Sequence, residues 1–411
     1  MRRAGMVFIF AGLIFLAGCY GRHEINDLAM VVGFAIDSVT NQPGKPQVIE
    51  VTAQIANPVV LVPGQGGASA GTGGPKAFWT VSGKGRSIQE ALGQMVPRIP
   101  KVLFFGQNRI VFFGEQAARH GLLPMLDRLQ RSTQARENNY VVIVRGKAKT
   151  VLEVEMPVYR SSGIGISSVL ELKGGQGPIL PYRLYEFIND LESNTGYPIA
   201  PVVKLVPQTS VNVEDLKSGA PPAKVITFDG SAVFDRNCRL VGFYNNEETL
   251  GIMWVKGKMR IQEVVIPCPE HGMTEPTVLR LDRRITKIKA ETGSNGSPRF
   301  RIMVEARGEL REHFGPDSNL RQQSYINQLE REAAAAVEKE IRAALKKSQT
   351  QGIDVLGLGK ELERQKHQAW IQIGSSWPAV YPTVEVSVKA NITMAQRGTA
   401  VEAPGRVKEP L

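Results

Sequence analysis

Gly67-Ala68-Ser69-Ala70-Gly71 matches the G-x-S-x-G spacing that, in one class of hydrolases, holds a nucleophilic serine on a strained turn between a strand and a helix. The setting does not support that chemistry. Glycines flank the match on both sides, no apolar strand leads into it, and Thr72-Gly73-Gly74-Pro75 cannot begin a helix. The same run lacks the Lys-Ser/Thr pair and the following helix of a phosphate-cradling loop. His23, His120, His271, His313 and His367 are scattered through unrelated segments, with no H-E-x-x-H pattern and no cysteine at ligand spacing, so no metal site is expected. Glu247-Glu248 is an acidic pair of the kind used in acid–base catalysis, but an exposed turn accounts for it. Basic residues are interspersed with acidic ones and lack interleaved aromatics, which argues against nucleic-acid binding. The expectation is a non-enzyme with no catalytic residues and no cofactor.

Cys19 is the exception. Arg2 and Arg3 precede an apolar stretch from residue 4 to 16, the charged and hydrophobic parts of an export signal, and Leu16-Ala17-Gly18 leads directly into Cys19. Small residues at 17 and 18 suit a peptidase groove, and a cysteine at the next position resembles a bacterial lipobox. Residues 1–18 then form a signal peptide, and Cys19 becomes the mature N-terminus, carrying diacylglycerol through a thioether. Two acyl chains hold a bilayer stably where one binds only reversibly, at about 0.8 kcal/mol per buried methylene. The competing reading is an uncleaved anchor helix. Residues 4–20 sit at the lower limit for spanning, however, and Gly21-Arg22-His23-Glu24 turns polar at once. In an exported body Cys238 and Cys268 are a candidate disulfide, which spacing alone leaves open.

With 411 residues, 42% of them hydrophobic and 22% charged, the chain can bury two or three cores and is too polar for a polytopic membrane protein. Its net charge of +11 favours an anionic leaflet without defining a site. Residues 26–37 read as a turn and a buried strand, and 48–55 as a strand that alternates. Residues 58–75 read as a flexible, glycine-rich surface loop. Ser87 with Glu90 three residues on is a capping-box helix start. Strands over 103–105 and 109–113, a helix over 115–131 and a buried strand over 140–144 complete an α/β unit.

A Pro/Ala/Lys-containing stretch at 212–224 is expected as the linker between an N-terminal α/β region, 19–211, divisible into two subdomains, and a C-terminal domain, 225–398. In the latter, strands over 224–235 and 239–244 pair about Asp235-Arg236-Asn237, and half-buried antiparallel strands cover 277–288 and 299–310. A long helix runs from an Asp317 or Ser318 cap to about Gln349, with a stripe of Ile326, Leu329, Ala333, Ala336, Val337, Ile341, Ala344 and Leu345. Glu330, Glu332, Glu338, Glu340, Arg331, Lys339, Arg342 and Lys346 lie off the stripe, on a face expected to be solvated or turned to a partner. Gly352 can end the helix. A last strand alternates over 384–392, and 399–411 reads as a disordered tail. The expected fold class is α+β, mixed α/β. It is multi-domain, with largely antiparallel sheets packed against helices and one long helix in the C-terminal domain.

The run Cys19-Tyr20-Gly21-Arg22-His23-Glu24-Ile25-Asn26-Asp27-Leu28-Ala29 resembles the mature start of the Ger(x)C family, the C-subunit lipoproteins of spore germinant receptors. The likeness continues in Gly85-Arg86-Ser87-Ile88-Gln89-Glu90-Ala91, in the stretch from Phe105 to Glu115 and in 141–146. It extends through Gly230-Ser231-Ala232-Val233-Phe234, Leu240-Val241-Gly242, Glu248-Thr249-Leu250-Gly251 with Trp254, the long helix, and Asp354-Val355-Leu356-Gly357-Leu358-Gly359. Tyr20-Gly21 departs from the Trp-Asp common after the family's lipid cysteine, and Gln107 replaces a frequent His. The resemblance implies a palmitate-type lipoprotein on the outer face of the spore inner membrane, with an elongated body of about three mixed α/β domains, acting with two polytopic partners, the A and B subunits. It implies no catalytic residue. Two other readings share the anchor. A transporter's substrate-binding lipoprotein, or another cell-envelope lipoprotein, would show two similar lobes about a hinge, which the strand order does not suggest. An envelope hydrolase needs a nucleophile and base that are not found.

Overall fold

The computed structural model describes residues 24–396 apart from 40–46, 58–76, 133, 157, 209–223, 269–271, 294–296 and 314–319. The signal segment, the glycine-rich loop, most of the 212–224 stretch, the Asp317/Ser318 cap and the tail therefore lie outside the described residues.

The first sheet has nine strands: β1 (Leu28–Ser38), β2 (Ile49–Ala56), β3 (Phe78–Gly85), β4 (Val102–Phe104), β5 (Ile110–Gly114), β6 (Tyr140–Val144), β7 (Ile199–Pro207), β8 (Lys224–Phe234) and β9 (Leu240–Tyr244). Their order is β3-β2-β1-β5-β6-β7-β8-β9, with β4 beside β1. The centre, β1-β5-β6-β7, is parallel, and the flanking pairs are antiparallel. The unbroken apolar runs of β5 and β6 explain the centre, because a parallel sheet is covered on both faces and both strands are wholly buried. Alternation sends Phe34, Ile36, Val111, Phe113, Val141 and Ile143 into one core. It sends Ala35, Phe112, Val142 and Val144 into a second.

Helices α1 (Ile88–Gly93), α2 (Glu115–His120), α3 (Leu123–Gln130), α4 (Lys149–Leu152), α5 (Ser162–Lys173) and α6 (Leu184–Glu192) connect these strands. Ser87 caps α1 as expected, accepting the Glu90 N–H at 3.1 Å. The single helix expected over 115–131 is instead two. Gly121, at φ +112, ends α2, and the Leu122 N–H leaves the helical ladder to donate to the Cys238 carbonyl.

β8 and β9 follow residue 224 yet complete the first sheet, because β8 pairs antiparallel with β7 from Pro207 back to Ile199. The turn between them is held as expected by Asp235, whose Oδ1 accepts the Asn237 and Arg239 N–H groups.

The second sheet, β10 (Gln262–Cys268), β11 (Gly272–Thr292), β12 (Pro298–Glu312) and β13 (Glu385–Gln396), is antiparallel up to β12, with β13 parallel to β12. A parallel return needs a crossover. It is made by α8 (Gln323–Gln351), α9 (Leu358–Gln365), α10 (His367–Ile373) and α11 (Trp377–Val380). Helix α7 (Asn246–Val255) packs on α8 so closely that a Cβ at Gly251 would meet the Glu340 carbonyl oxygen at 2.1 Å.

The α8 stripe is buried as expected at Ile326, Leu329, Ala333, Val337, Ile341, Ala344 and Leu345, and Gly352 ends the helix at φ +67. The helix begins at Gln323 after an extended Gln322, however, and does not run from a cap at 317 or 318. The charged face is solvated as expected at Arg331, Lys339, Arg342 and Lys346, but part of it also binds backbone. Glu338 accepts the Ala390 N–H at 3.0 Å and Glu330 the Met394 N–H at 2.8 Å, while Arg342 donates to the Val388 carbonyl at 3.1 Å. These side chains satisfy the outer edge of β13, the last strand of its sheet, which would otherwise present unpaired backbone groups.

Candidate functional site

Cys19, His23, Ser69 and His271 lie outside the described residues. Among the described residues no group of three or more His, Cys, Asp or Glu could hold a metal ion. His120 Nδ1 lies 2.7 Å from the Gln116 carbonyl within α2, and His313 contacts Thr277 and the edge of Tyr325. Cys238 and Cys268 are both buried and not bonded to each other. The first sits in the β8–β9 turn, where burial pushes its thiol up to about 12, and the second ends β10 beside Tyr325. Glu247-Glu248 does not form an exposed turn. It opens α7 in a reciprocal cap, with Asn245 accepting the Glu248 N–H and Glu248 the Asn245 N–H. Lys347 then pairs with Glu248 at 2.6 Å and Lys339 with Glu247 at 3.1 Å, tying α8 to this start.

Three inward carboxylates were not singled out from sequence, because nothing in their spacing distinguishes them from surface acids. Asp37, at the end of β1, accepts the Ala148 and Lys149 N–H groups at 2.7 and 2.9 Å and so starts α4. Burial raises its pKa and those bonds oppose the rise. Gly114 is pressed against it, since a Cβ there would meet Asp37 Oδ1 at 2.0 Å. Asp354 accepts three backbone N–H groups at the start of α9. Glu340 is half-buried, and its carboxylate accepts from Trp254 Nε1 at 2.6 Å and Gln262 Nε2 at 3.4 Å.

Each carboxylate therefore serves the fold, and none faces a nucleophile. Burial pushes Glu340 up from its ordinary 4.5 to about 7, against the opposing hydrogen bond from Trp254. Between those values the folded protein keeps the proton and the unfolded chain releases it, so stability falls as pH rises through the window and levels off above it. The full span is worth up to roughly 3 kcal/mol. Urea midpoints should fall from pH 5 to pH 8, and Glu340→Gln should flatten that dependence. An unchanged slope in the variant would refute the assignment.

Two of the surface recesses are lined mainly by apolar side chains, whereas others, such as the groove between Glu50, Lys84, Arg98 and Lys149, are polar. A cleft of about 500 Å³ lies between α1, the turn Val96–Arg98, β4 and α3. Phe34 and Phe105 meet edge to face in it, centroids 5.3 Å apart, with Val111 and Leu129 beside them and Lys101, Arg128 and Arg131 among its polar lining. A second recess, about 430 Å³, opens beside it under Ile25, where the described chain begins, and shares Ile99 and Lys101 with the first. This end of the molecule can take up apolar matter.

A family model described as the spore germination protein N-terminal domain matches residues 21–205, and one described as spore germination B3/GerAC like, C-terminal, matches 229–398. Spore germination protein KC of Bacillus subtilis (strain 168) is 26% identical over 399 residues, 95% of either chain. Spore germination protein B3 of the same strain is 25% identical over 398 residues, 95% of this chain and 97% of that one. Spore germination protein GerQC of Bacillus cereus is 22% identical over 94% of this chain and 96% of its own. The crystal structure of the GerBC protein superposes with a TM-score of 0.52 over 88% of this chain and 97% of that chain at 18% identity, so the two share a fold.

Proposed function

Because the chain belongs to the Ger(x)C family of spore germination proteins, the C-subunits of germinant receptors, we propose that it is a non-enzymatic, lipid-anchored subunit of a nutrient germinant receptor. The observation that carries this reading is the pair of family matches, which together cover most of the chain and begin just after the Leu16-Ala17-Gly18-Cys19 step. In this reading Cys19 carries diacylglycerol on the outer face of the spore inner membrane, and the folded body acts with two polytopic subunits, A and B. Among the described residues no helix is long and apolar enough to cross a membrane. The attachment proposed is the lipid on Cys19. The role proposed for the body is contact with partner subunits, which its capped helices and fully used carboxylates support better than turnover of a substrate.

Cys19→Ala tests the anchor. The variant should lose acyl labelling, leave the membrane fraction of spores and fail to support nutrient germination, while folding as the parent does. Normal acyl labelling of the variant would overturn the lipidation, and recovery of the parent without either polytopic subunit would overturn the assembly.

A further inference from the structure

Large apolar side chains are exposed at Ile25 (71%), Val96 (63%), Val102 (46%) and Trp79 (44%). Scattered singly they would need no explanation, but a contiguous set marks an interaction surface. These four are contiguous. Ile25 and Trp79 line the smaller recess and Val96 and Val102 the larger, and the two recesses meet at Ile99 and Lys101. The charges around them are mixed but lean basic. Arg98, Lys101, Arg128 and Arg131 stand against Glu24, Asp27 and Asp127, and Asp127 is already paired with Arg131 at 2.9 Å.

The chain itself says what covers this surface. Five residue-to-residue steps lead from Cys19 to Glu24, and a fully extended backbone spans at most about 3.5 Å per step, so the tether reaches no more than about 18 Å. The headgroup layer on each side of the hydrocarbon core takes up about 5–8 Å of that reach. A body held so closely keeps Ile25, one residue into the described chain, next to the leaflet whatever its tilt. An exposed tryptophan beside a lysine is the pairing that favours the boundary between headgroups and acyl chains.

We propose that this end of the first sheet lies on the membrane, with Ile25, Trp79, Val96 and Val102 in the interfacial layer and Arg98 and Lys101 against anionic headgroups. The proposal rests on lipidation of Cys19. It adds an orientation: the second sheet and α8 point away from the leaflet.

All four tryptophans belong to the described residues, and Trp254, Trp370 and Trp377 are buried at 1%, 8% and 0%. Bromine placed on the acyl chains of a bilayer therefore reads Trp79 selectively. In vesicles of phosphatidylcholine and phosphatidylglycerol, the full lipidated chain should be quenched by bromines near the headgroups more than by bromines near the chain ends. Trp79→Phe should lose the quenching, and Ile25→Asp should still float with the vesicles while losing most of it. Acyl labelling of the same preparation separates two failures. A labelled, floating protein with unquenched Trp79 overturns the membrane face alone and leaves that surface to a protein partner. Unlabelled protein overturns the anchor and the membrane face together.

Discussion

Ile341→Asp should abolish the cooperative unfolding transition at room temperature. Ile341 is fully buried on the inner stripe of α8, the helix that touches α7, β10 and β13 at once. Aspartate there loses the apolar contacts of the isoleucine and adds a carboxylate with no donor around it. Loss of that side chain alone costs about 2–5 kcal/mol, and an unpaired buried charge adds to it, against a total stability of about 5–15 kcal/mol. Ile341→Val, which trims one methyl group, should cost only about 0.5–1.5 kcal/mol and serves as the control. The neighbouring Arg342 gives the contrast. Its side chain is 56% exposed, pairs with Glu338 at 2.7 Å and caps Val388, so Arg342→Ala should cost no more than about 1 kcal/mol. Urea melts followed by circular dichroism measure all three, and a parent-like midpoint for Ile341→Asp would refute the stripe.

Asp354→Ala should destabilise the second sheet nearly as much, by a different route. The carboxylate is 2% exposed and accepts from the backbone N–H groups of Gly357 (2.9 Å), Leu358 (3.0 Å) and Gly359 (2.6 Å) and from Trp377 Nε1 (3.1 Å). Alanine leaves these donors without an acceptor, and a buried unsatisfied group costs about 1–3 kcal/mol, so the sum is several kcal/mol even without additivity. The damage concentrates where the crossover turns. Trp377 is wedged among Phe300, Trp370 and Tyr381, and a Cβ at Gly359 would meet its indole nitrogen at 2.6 Å. Loosening that cluster frees the segment that delivers β13 to β12. Asp354→Asn, which keeps an acceptor oxygen but turns an amide N–H₂ toward other donors, should fall between alanine and the parent. A midpoint for Asp354→Ala within about 1 kcal/mol of the parent would show that water replaces the carboxylate there.

How much of this was legible in the chain depends on the range of the interaction involved. Stripes and caps are local. The α8 stripe, the Ser87 cap, the Gly352 stop, the Asp235 turn and the unbroken apolar strand at 140–144 follow from periods and side chains within a few residues of one another, and the structure has each of them. The proposed export signal and lipid site at Cys19 rest likewise on a local pattern of residues, read without reference to the fold.

Contacts between distant segments were not legible. The break at Gly121 depends on the Cys238 carbonyl taking the Leu122 N–H, and the membership of β8 in the first sheet depends on β7. Periodicity marks Glu330, Glu338 and Arg342 as off the stripe, but only the placement of β13 beside α8 gives them backbone groups to satisfy instead of water. Asp37, Asp354 and Glu340 look like any other acids until folding buries them against N–H donors. Ile25, Trp79, Val96 and Val102 come from four separate stretches and become one apolar face only when β4 pairs with β1 and β2 brings β3 to the same end of the sheet. Sequence alone determined most of the elements and is the ground for the proposed anchor, because both rest on neighbours along the chain. Tertiary structure decided which charges are buried and which apolar groups are left outside, because burial is a property of neighbours in space.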